Sequence, residues 1–359
     1  MVDKTKSNFL SYLHSFRGFA IISVVAGHAV CAIYLAVFHK YDWSDPILII
    51  NEIMFNHSTL YFALLSGLLF SSVLKDKSYN QFYTSKVMYV FLPYLFFTLL
   101  YSYVKFHRYN FIYVNTSDID YFLNNFLQNL ILGTANFVLW YMPVLFGLYL
   151  LTPLFSFLLR HKKHTYILIW IIILAPLLSA SFKMPFLYGG MISKIIYYSG
   201  AYVLGMYLGV NIEASMKWLE EYFFQIVFVA LTSSVIFGYL GSNDINVFKG
   251  FFLQEALYYM QKICFSAIAI VLLNKLGKRQ PVWLIKIASH STPIYFIHGA
   301  VVFSCSSLFL FMNGDMLYDP LNIFLGAFLL LICTIALCML ISVSVKKVFG
   351  AFSRMIIGA

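Results

Sequence analysis

The sequence predicts an all-α integral membrane protein: a bundle of about ten transmembrane helices with both termini in the cytoplasm. Three observations carry this prediction. Hydrophobic residues make up 61% of the 359 and charged residues only 11%, against about 25% charged in a soluble domain. The apolar residues fall in runs close to 20 long, the length of a membrane helix and not of a barrel strand. Lysine and arginine gather in alternate connections, as the positive-inside rule requires.

The spans fall at 15–38, 46–73, 87–106, 137–159, 165–182, 194–210, 221–240, 255–273, 292–311 and 321–345. Lys4 and Lys6 precede the first span without a cleavage pattern after it, which reads as a retained helix. With the N-terminus inside, seventeen of the 24 lysines and arginines lie in inner segments. They include Lys75, Lys77 and Lys86, Arg160, Lys162 and Lys163, Lys217, the group from Lys275 to Lys286, and Lys346, Lys347 and Arg354. The net charge of +10 therefore follows topology and is no nucleic-acid footprint, so the expected partner is the lipid bilayer.

Residues 107–136 form the longest outer loop. Arg108, Tyr109, Asn115, Asp118, Asp120, Asn124, Asn125, Gln128 and Asn129 give it a polar surface, suited to a carbohydrate and equally to an ordinary solvated loop. Trp283–Lys286 begins a short interfacial helix. Thr292-Pro293 then reads as an N-cap followed by proline at the first helical position, so the ninth span starts near 292. That start puts His298 about 8–9 Å into the span from its inner end. The five cysteines sit in apolar runs without ligand spacing, and His161 and His164 stand in a basic loop, so no metal is expected. Walker A, GxSxG, HExxH and dinucleotide glycine patterns are absent, as are internal repeats and any soluble domain.

Chemistry concentrates in the first span. Arg17 and His28 are eleven residues apart, three turns plus about 20°, so they share one helix face at an axial separation of about 16 Å. Ionisable groups inside a membrane are rare and usually functional. A histidine with a near-neutral reference pKa can take a proton at physiological pH, although a buried histidine also serves packing. A guanidinium suits phosphate, although arginine at this depth is commonly an anchor. Lys86, Arg160, Lys162 and Lys163 are further inner cations able to draw in a polyanion. In the second span, Glu52, Asn56, Thr59, Ala63 and Ser66 form a polar and small stripe on one helix face, with His57 beside it at the depth of His28. Such a stripe faces protein or water. Glu52 is placed to orient a histidine, to bind a hydroxyl acceptor, or to pair with a neighbour.

Here the chain resembles the membrane acyltransferase-3 family. Arg17-Gly18-Phe-Ala20 with Gly27-His28 is similar to its R-x10-H signature, and Tyr61-Phe62-Ala-Leu-Leu-Ser66-Gly67-Leu to its FFxxSGxL motif. Lys86 with Leu92-Pro93-Tyr94 resembles the basic residue and LPY of the third helix. Leu139-Trp140-Tyr141, with Tyr149 and Pro153, resembles the LWFL segment. Tyr198, Gly200, Leu204-Gly205 and Tyr207, then Ile294-Tyr295-Phe-Ile-His298, complete the order over nearly the whole chain. Ser85 stands where many members have the first of a basic pair, and Ala63 interrupts the aromatic run.

The resemblance implies a single acyltransferase domain over 1–359 without an appended soluble domain. It implies an O-acyltransferase of the bacterial cytoplasmic membrane. The donor would be cytoplasmic acyl-CoA, commonly acetyl-CoA, and the acceptor a sugar hydroxyl of a surface polysaccharide, such as O-antigen, or its lipid-linked precursor. Arg17, Lys86 and His298 are then expected at the CoA end, and Arg17 and His28 are the expected catalytic residues. His28 acts as general base or takes the acyl group itself. Glu52, His57 and Trp140 are expected on the acceptor side, Trp140 stacking on sugar or anchoring at the interface. The rival reading is a proton-coupled carrier or flippase for a lipid-linked sugar, which explains the buried Glu and His but not the R-x10-H match.

Overall fold

The computed structural model describes residues 2–74, 77–112, 119–161, 165–178, 189–242, 253–313 and 319–359, without the side chains of 2–10, 108–112, 189, 241–242, 253–254 and 307–313. Lys75, Asn115, Asp118, Lys162, Lys163, His164 and Lys183 lie outside the described residues, as do the side chains of Lys4, Lys6, Arg108 and Tyr109. Every described element is helical. In chain order they are α1 (Val2–Phe38), α2 (Pro46–Phe55), α3 (Thr59–Leu69), α4 (Tyr79–Lys86), α5 (Leu92–Ile112), α6 (Ile119–Leu132), α7 (Tyr141–Arg160) and α8 (Thr165–Leu178). There follow α9 (Gly189–Val210), α10 (Ile212–Glu221), α11 (Phe223–Ser242), α12 (Leu253–Leu276), α13 (Val282–Ser289), α14 (Ser291–Asn313), α15 (Pro320–Phe349) and α16 (Ser353–Ile356). Wider π-helical turns, Phe70–Leu74 and Val87–Phe91, adjoin α3 and α5.

Among the described residues, seven helical stretches are long and apolar enough to cross a membrane, or eight if α9 and α10, bent by 108°, make one span. The chain is a multi-pass membrane protein. The expected fifth and ninth spans fall on the shorter apolar helix α8 and on α14. Starts follow the local chemistry. Asp45 caps α2 through Ile47 N at 2.8 Å, with Pro46 in the first turn, and Asp319-Pro320 starts α15 in the same way.

Helix α1 lies at the centre of one half of the bundle, against α2, α3, α12, α13, α14 and α15. Its buried face is small and branched, with Ala20, Ile21, Val25 and Ala29 inaccessible. In lipid, helix association depends on close packing more than on apolar burial. The α3–α9 contact illustrates this. A Cβ on Gly67 would strike the carbonyl of Tyr202, and one on Gly205 the carbonyl of Leu64, so two glycines let the backbones touch. Large exposed apolar side chains, such as Phe224, Val235, Phe328 and Leu340, cover the outside of α11 and α15.

Three expectations are corrected. The second span is not one helix: it breaks at Asn56-His57-Ser58, where His57 takes φ +55°, so Glu52 and Thr59 do not share a continuous face. The 107–136 segment is not a simple loop, because α5 runs to Ile112 and α6 fills 119–132. Helix α6 lies along α5, with Asn129 Nδ2 donating to Ser102 Oγ at 3.0 Å and the Tyr94 hydroxyl donating to Leu130 O at 2.5 Å. Asn129 is therefore buried and no part of a polar outer surface. Lastly, α14 begins at Ser291 and Thr292 is not its cap; its hydroxyl is used otherwise.

Candidate functional site

Arg17 and Thr292 join α1 to α14. The Arg17 Nη2 donates to Thr292 Oγ1 at 2.6 Å. Further along both helices, the rings of His28 and His298 lie 5.4 Å apart. Residue numbers increase in the same sense across both contacts, so α1 and α14 run parallel with the cation at one end and the histidines beyond it.

Arg17 lines a cavity of about 600 Å³ with Lys86, Lys346 and Arg354. Thr292, Ser85 and Tyr89 line it too, and no carboxylate side chain does. None of the four cations forms an ion pair among the described residues. Lys86 Nζ sits 4.6 Å from the Tyr149 ring centre and 5.3 Å from that of Phe82, which fixes the ammonium without neutralising it. The π-helical turn after Lys86 carries Tyr89 and Val90 to the cavity wall. A second cavity of about 430 Å³, lined by His14, Leu65, Leu69 and Ile285, shares Arg17 with the first.

His298 is inaccessible, and its Nδ1 lies 2.9 Å from Ile294 O and 2.8 Å from Tyr295 O. Carbonyls only accept, so Nδ1 carries the hydrogen and a neutral ring presents Nε2 as a lone pair. That Nε2 is buried without a partner. The half-buried His28 ring meets that of His298, and Phe137 edge-on at 5.0 Å. Neither His28 nitrogen has a hydrogen bond among the described residues. The turn carrying Phe137 packs on α14 because residue 299 is glycine; a Cβ there would come within 2.7 Å of Val138 and 2.9 Å of Asn136. The Tyr295 hydroxyl donates to Val138 O and holds the turn from the other side. Non-helical backbone at this depth is tolerated in membrane proteins where it is buried or lines a polar cavity.

The acyltransferase-3 family, an acyltransferase domain, matches residues 10–343. The chain belongs to this family. It is a membrane acyltransferase. No curated protein and no solved structure matches the chain.

The acyltransferase brings together Arg17 and Lys86 as expected, and adds Lys346 and Arg354. It does not place His298 with them. Thr292 is level with the Arg17 guanidinium, not with the start of α1, so six residues of rise carry His298 to His28. Trp140 is partly buried. It precedes α7 in the Phe137 turn, packs on Tyr141 and Tyr198 at 6.0 and 5.8 Å, and carries Lys194 Nζ 4.5 Å from its centre. Tyr141 reaches Tyr295, and Tyr295 reaches His298, so an aromatic row links Trp140 to the histidine pair.

Glu52 and His57 belong to a second polar cluster, around the break between α2 and α3. Glu52 accepts from the Tyr258 hydroxyl at 2.6 Å and from Asn56 Nδ2. His57 stacks on Tyr258 at 4.7 Å, and its Nε2 is 3.8 Å from Glu255. Lys262 is inaccessible, and its Nζ donates to the carbonyls of Ile53 and Met54 at 2.8 and 3.1 Å. It caps the end of α2 where the helix stops. Phe55, next to the break, would meet a Cβ on Gly27, so the break lies level with His28 along α1.

Sequence reading missed Lys262, Phe137, Lys346 and Arg354. Lys262 had a signal: it is a lysine inside an apolar run, far from any basic segment. Lys346 and Arg354 had none beyond topology, because end-of-span cations are normally anchors.

Proposed function

We propose that the protein moves an acyl group, in the simplest case acetyl, from cytoplasmic acyl-CoA to a sugar hydroxyl of a surface polysaccharide or its lipid-linked precursor. The observation that carries this reading is the ordering along α1: a cavity with an excess of cations at one end and a histidine pair, with the His298 Nε2 bare, eleven residues further on. Arg17 and Lys86 hold phosphate, for which the guanidinium offers a fixed fork of donors. The thioester arm extends along α1 toward His28.

In the transfer step, the acceptor oxygen attacks the thioester carbonyl and gives its proton to His28. The carbon–sulfur bond breaks, and the proton passes to the leaving thiolate. His298, with its tautomer set by two carbonyls, packs beside His28 and presents its bare Nε2 to the same space. The aromatic row from Trp140 to Tyr295 and the Glu52–His57 cluster flank the acceptor's approach from the opposite membrane face. The bacterial cytoplasmic membrane, with the basic end inside, fits the distribution of lysine and arginine. Family membership favours transfer over transport of a lipid-linked sugar.

The test is purified protein in oriented vesicles with radiolabelled acetyl-CoA. Donor added at the face bearing Arg354 should support transfer to a glycan on the other face, and His28→Ala should abolish it. Transfer supported only from the opposite face, or undiminished in His28→Ala, would overturn the arrangement. Impermeant thiol labelling of single cysteines at Asn125 and Arg354 in intact cells should mark 125 and spare 354.

A further inference from the structure

We propose that Lys346 and Arg354 bind the 3′-phosphate of CoA, and so select free acyl-CoA over acyl groups carried on phosphopantetheine alone. This rests on the acyl-CoA reading above. Both residues lie beyond position 343, where the family match ends, yet both line the same cavity as Arg17 and Lys86. The chain reaches back to this cavity through a specific device. Helix α15 ends at Gly350, with φ +54° and ψ −129°, a conformation that only glycine adopts readily. The reversal packs α16 against α5 and the Val87–Phe91 turn. There the Arg354 guanidinium lies 5.0 Å from the centre of the Tyr89 ring. Stacking on an aromatic face holds a guanidinium in place and leaves its edge donors free.

Charge balance points to the ligand. Four cations line about 600 Å³ against one carboxylate, the chain-terminal group of Ala359, and the excess of like charge repels unless a further anion joins it. A phosphomonoester carries about −1.5 to −2 at neutral pH. With a diphosphate at about one charge per phosphate, the CoA nucleotide approaches −4, enough to answer the cavity's excess of positive charge. Phosphopantetheine on a carrier protein has one diester phosphate and would leave most of the cavity's charge unanswered. Position then divides the work. Arg17 is tied to Thr292 on the helix pair that leads to the histidines, so it takes the diphosphate next to the pantetheine arm, together with Lys86. Lys346 and Arg354, on α15 and α16, are left for the 3′-phosphate at the nucleotide end.

The experiment is equilibrium binding of CoA and 3′-dephospho-CoA to the full chain in nanodiscs. The wild-type protein should prefer CoA by at least about tenfold, one charge-assisted phosphate contact. Lys346→Ala with Arg354→Ala should erase that preference and leave the affinity for dephospho-CoA unchanged, which also reports an intact fold. Gly350→Val should reproduce the effect in part, and Lys346→Arg should retain the preference. Arg17→Ala should weaken both ligands alike. An unchanged preference in the double variant, or an equal loss for both ligands, would overturn the role of Lys346 and Arg354 while leaving the acyl-CoA reading standing. A wild-type protein that binds neither ligand would overturn both.

Discussion

His298 and Lys262 are both inaccessible, and both stand on helices packed against α1. The fold treats them in opposite ways. Lys262 spends its ammonium on two carbonyls at the end of α2, and the Glu52 carboxylate nearby is satisfied by Tyr258 and Asn56. His298 spends one nitrogen on α14 and leaves the other bare, facing a His28 that has no hydrogen bond of its own among the described residues. A buried polar atom without a partner costs about 1–3 kcal/mol. A protein that closes one cluster and leaves the next one open at the same level is tolerating that cost where a ligand's atoms belong.

The comparison would break most visibly at His28. His28→Ala should reduce turnover by about 10²–10⁴-fold, the usual yield of a positioned acid–base group, with donor affinity retained. Equal turnover in the variant would put the histidine pair among the packing residues. Next in size is Arg17→Ala, where loss of a charge-assisted contact worth about 1.5–3 kcal/mol should raise the KM for acyl-CoA by about 10–100-fold. Arg17→Lys should restore only part, because an ammonium lacks the fork.

The closed cluster should respond in stability instead. Lys262→Met strands two buried carbonyls and should cost about 1–3 kcal/mol, read as a lower thermal midpoint at an unchanged KM for the donor. A raised donor KM with normal stability would move Lys262 into the donor site. The smallest effect belongs to Glu52→Gln, which keeps an oxygen for the Tyr258 hydroxyl; its stability change should stay within about 1 kcal/mol. A complete loss of transfer there would make Glu52 a reacting group and merge the two clusters.

Much of this was legible in the sequence. Apolar runs marked the helices, and the eleven-residue spacing of Arg17 and His28 placed both on one face. The breaks were not legible. Asn56-His57-Ser58 holds neither glycine nor proline, and it stops the helix because Lys262, two hundred residues away in the chain, caps its end. The register of α14 was hidden for a similar reason. Counting rise from Thr292 gave its distance to His298, but rise alone could not show that this depth brings His298 to His28 and not to the basic cavity. Lys346 and Arg354 looked like end-of-span anchors: Lys346 reaches the cavity from the last turn of α15, and Arg354 only through the reversal at Gly350.

Helix α1 runs unbroken from Val2 to Phe38, past both Arg17 and His28. Nothing in it can shorten or lengthen the distance between phosphate and histidine, so the helix works as a gauge for the donor. A thioester whose tether matches about 16 Å delivers its carbonyl to the imidazole while its phosphates stay at Arg17. A truncated thioester must choose between the two. Short acyl-thiol mimics should therefore reach His28 only without the benefit of the basic cavity, and chain elongation on the acyl side must be accommodated beyond the histidines, toward Phe137 and Phe303.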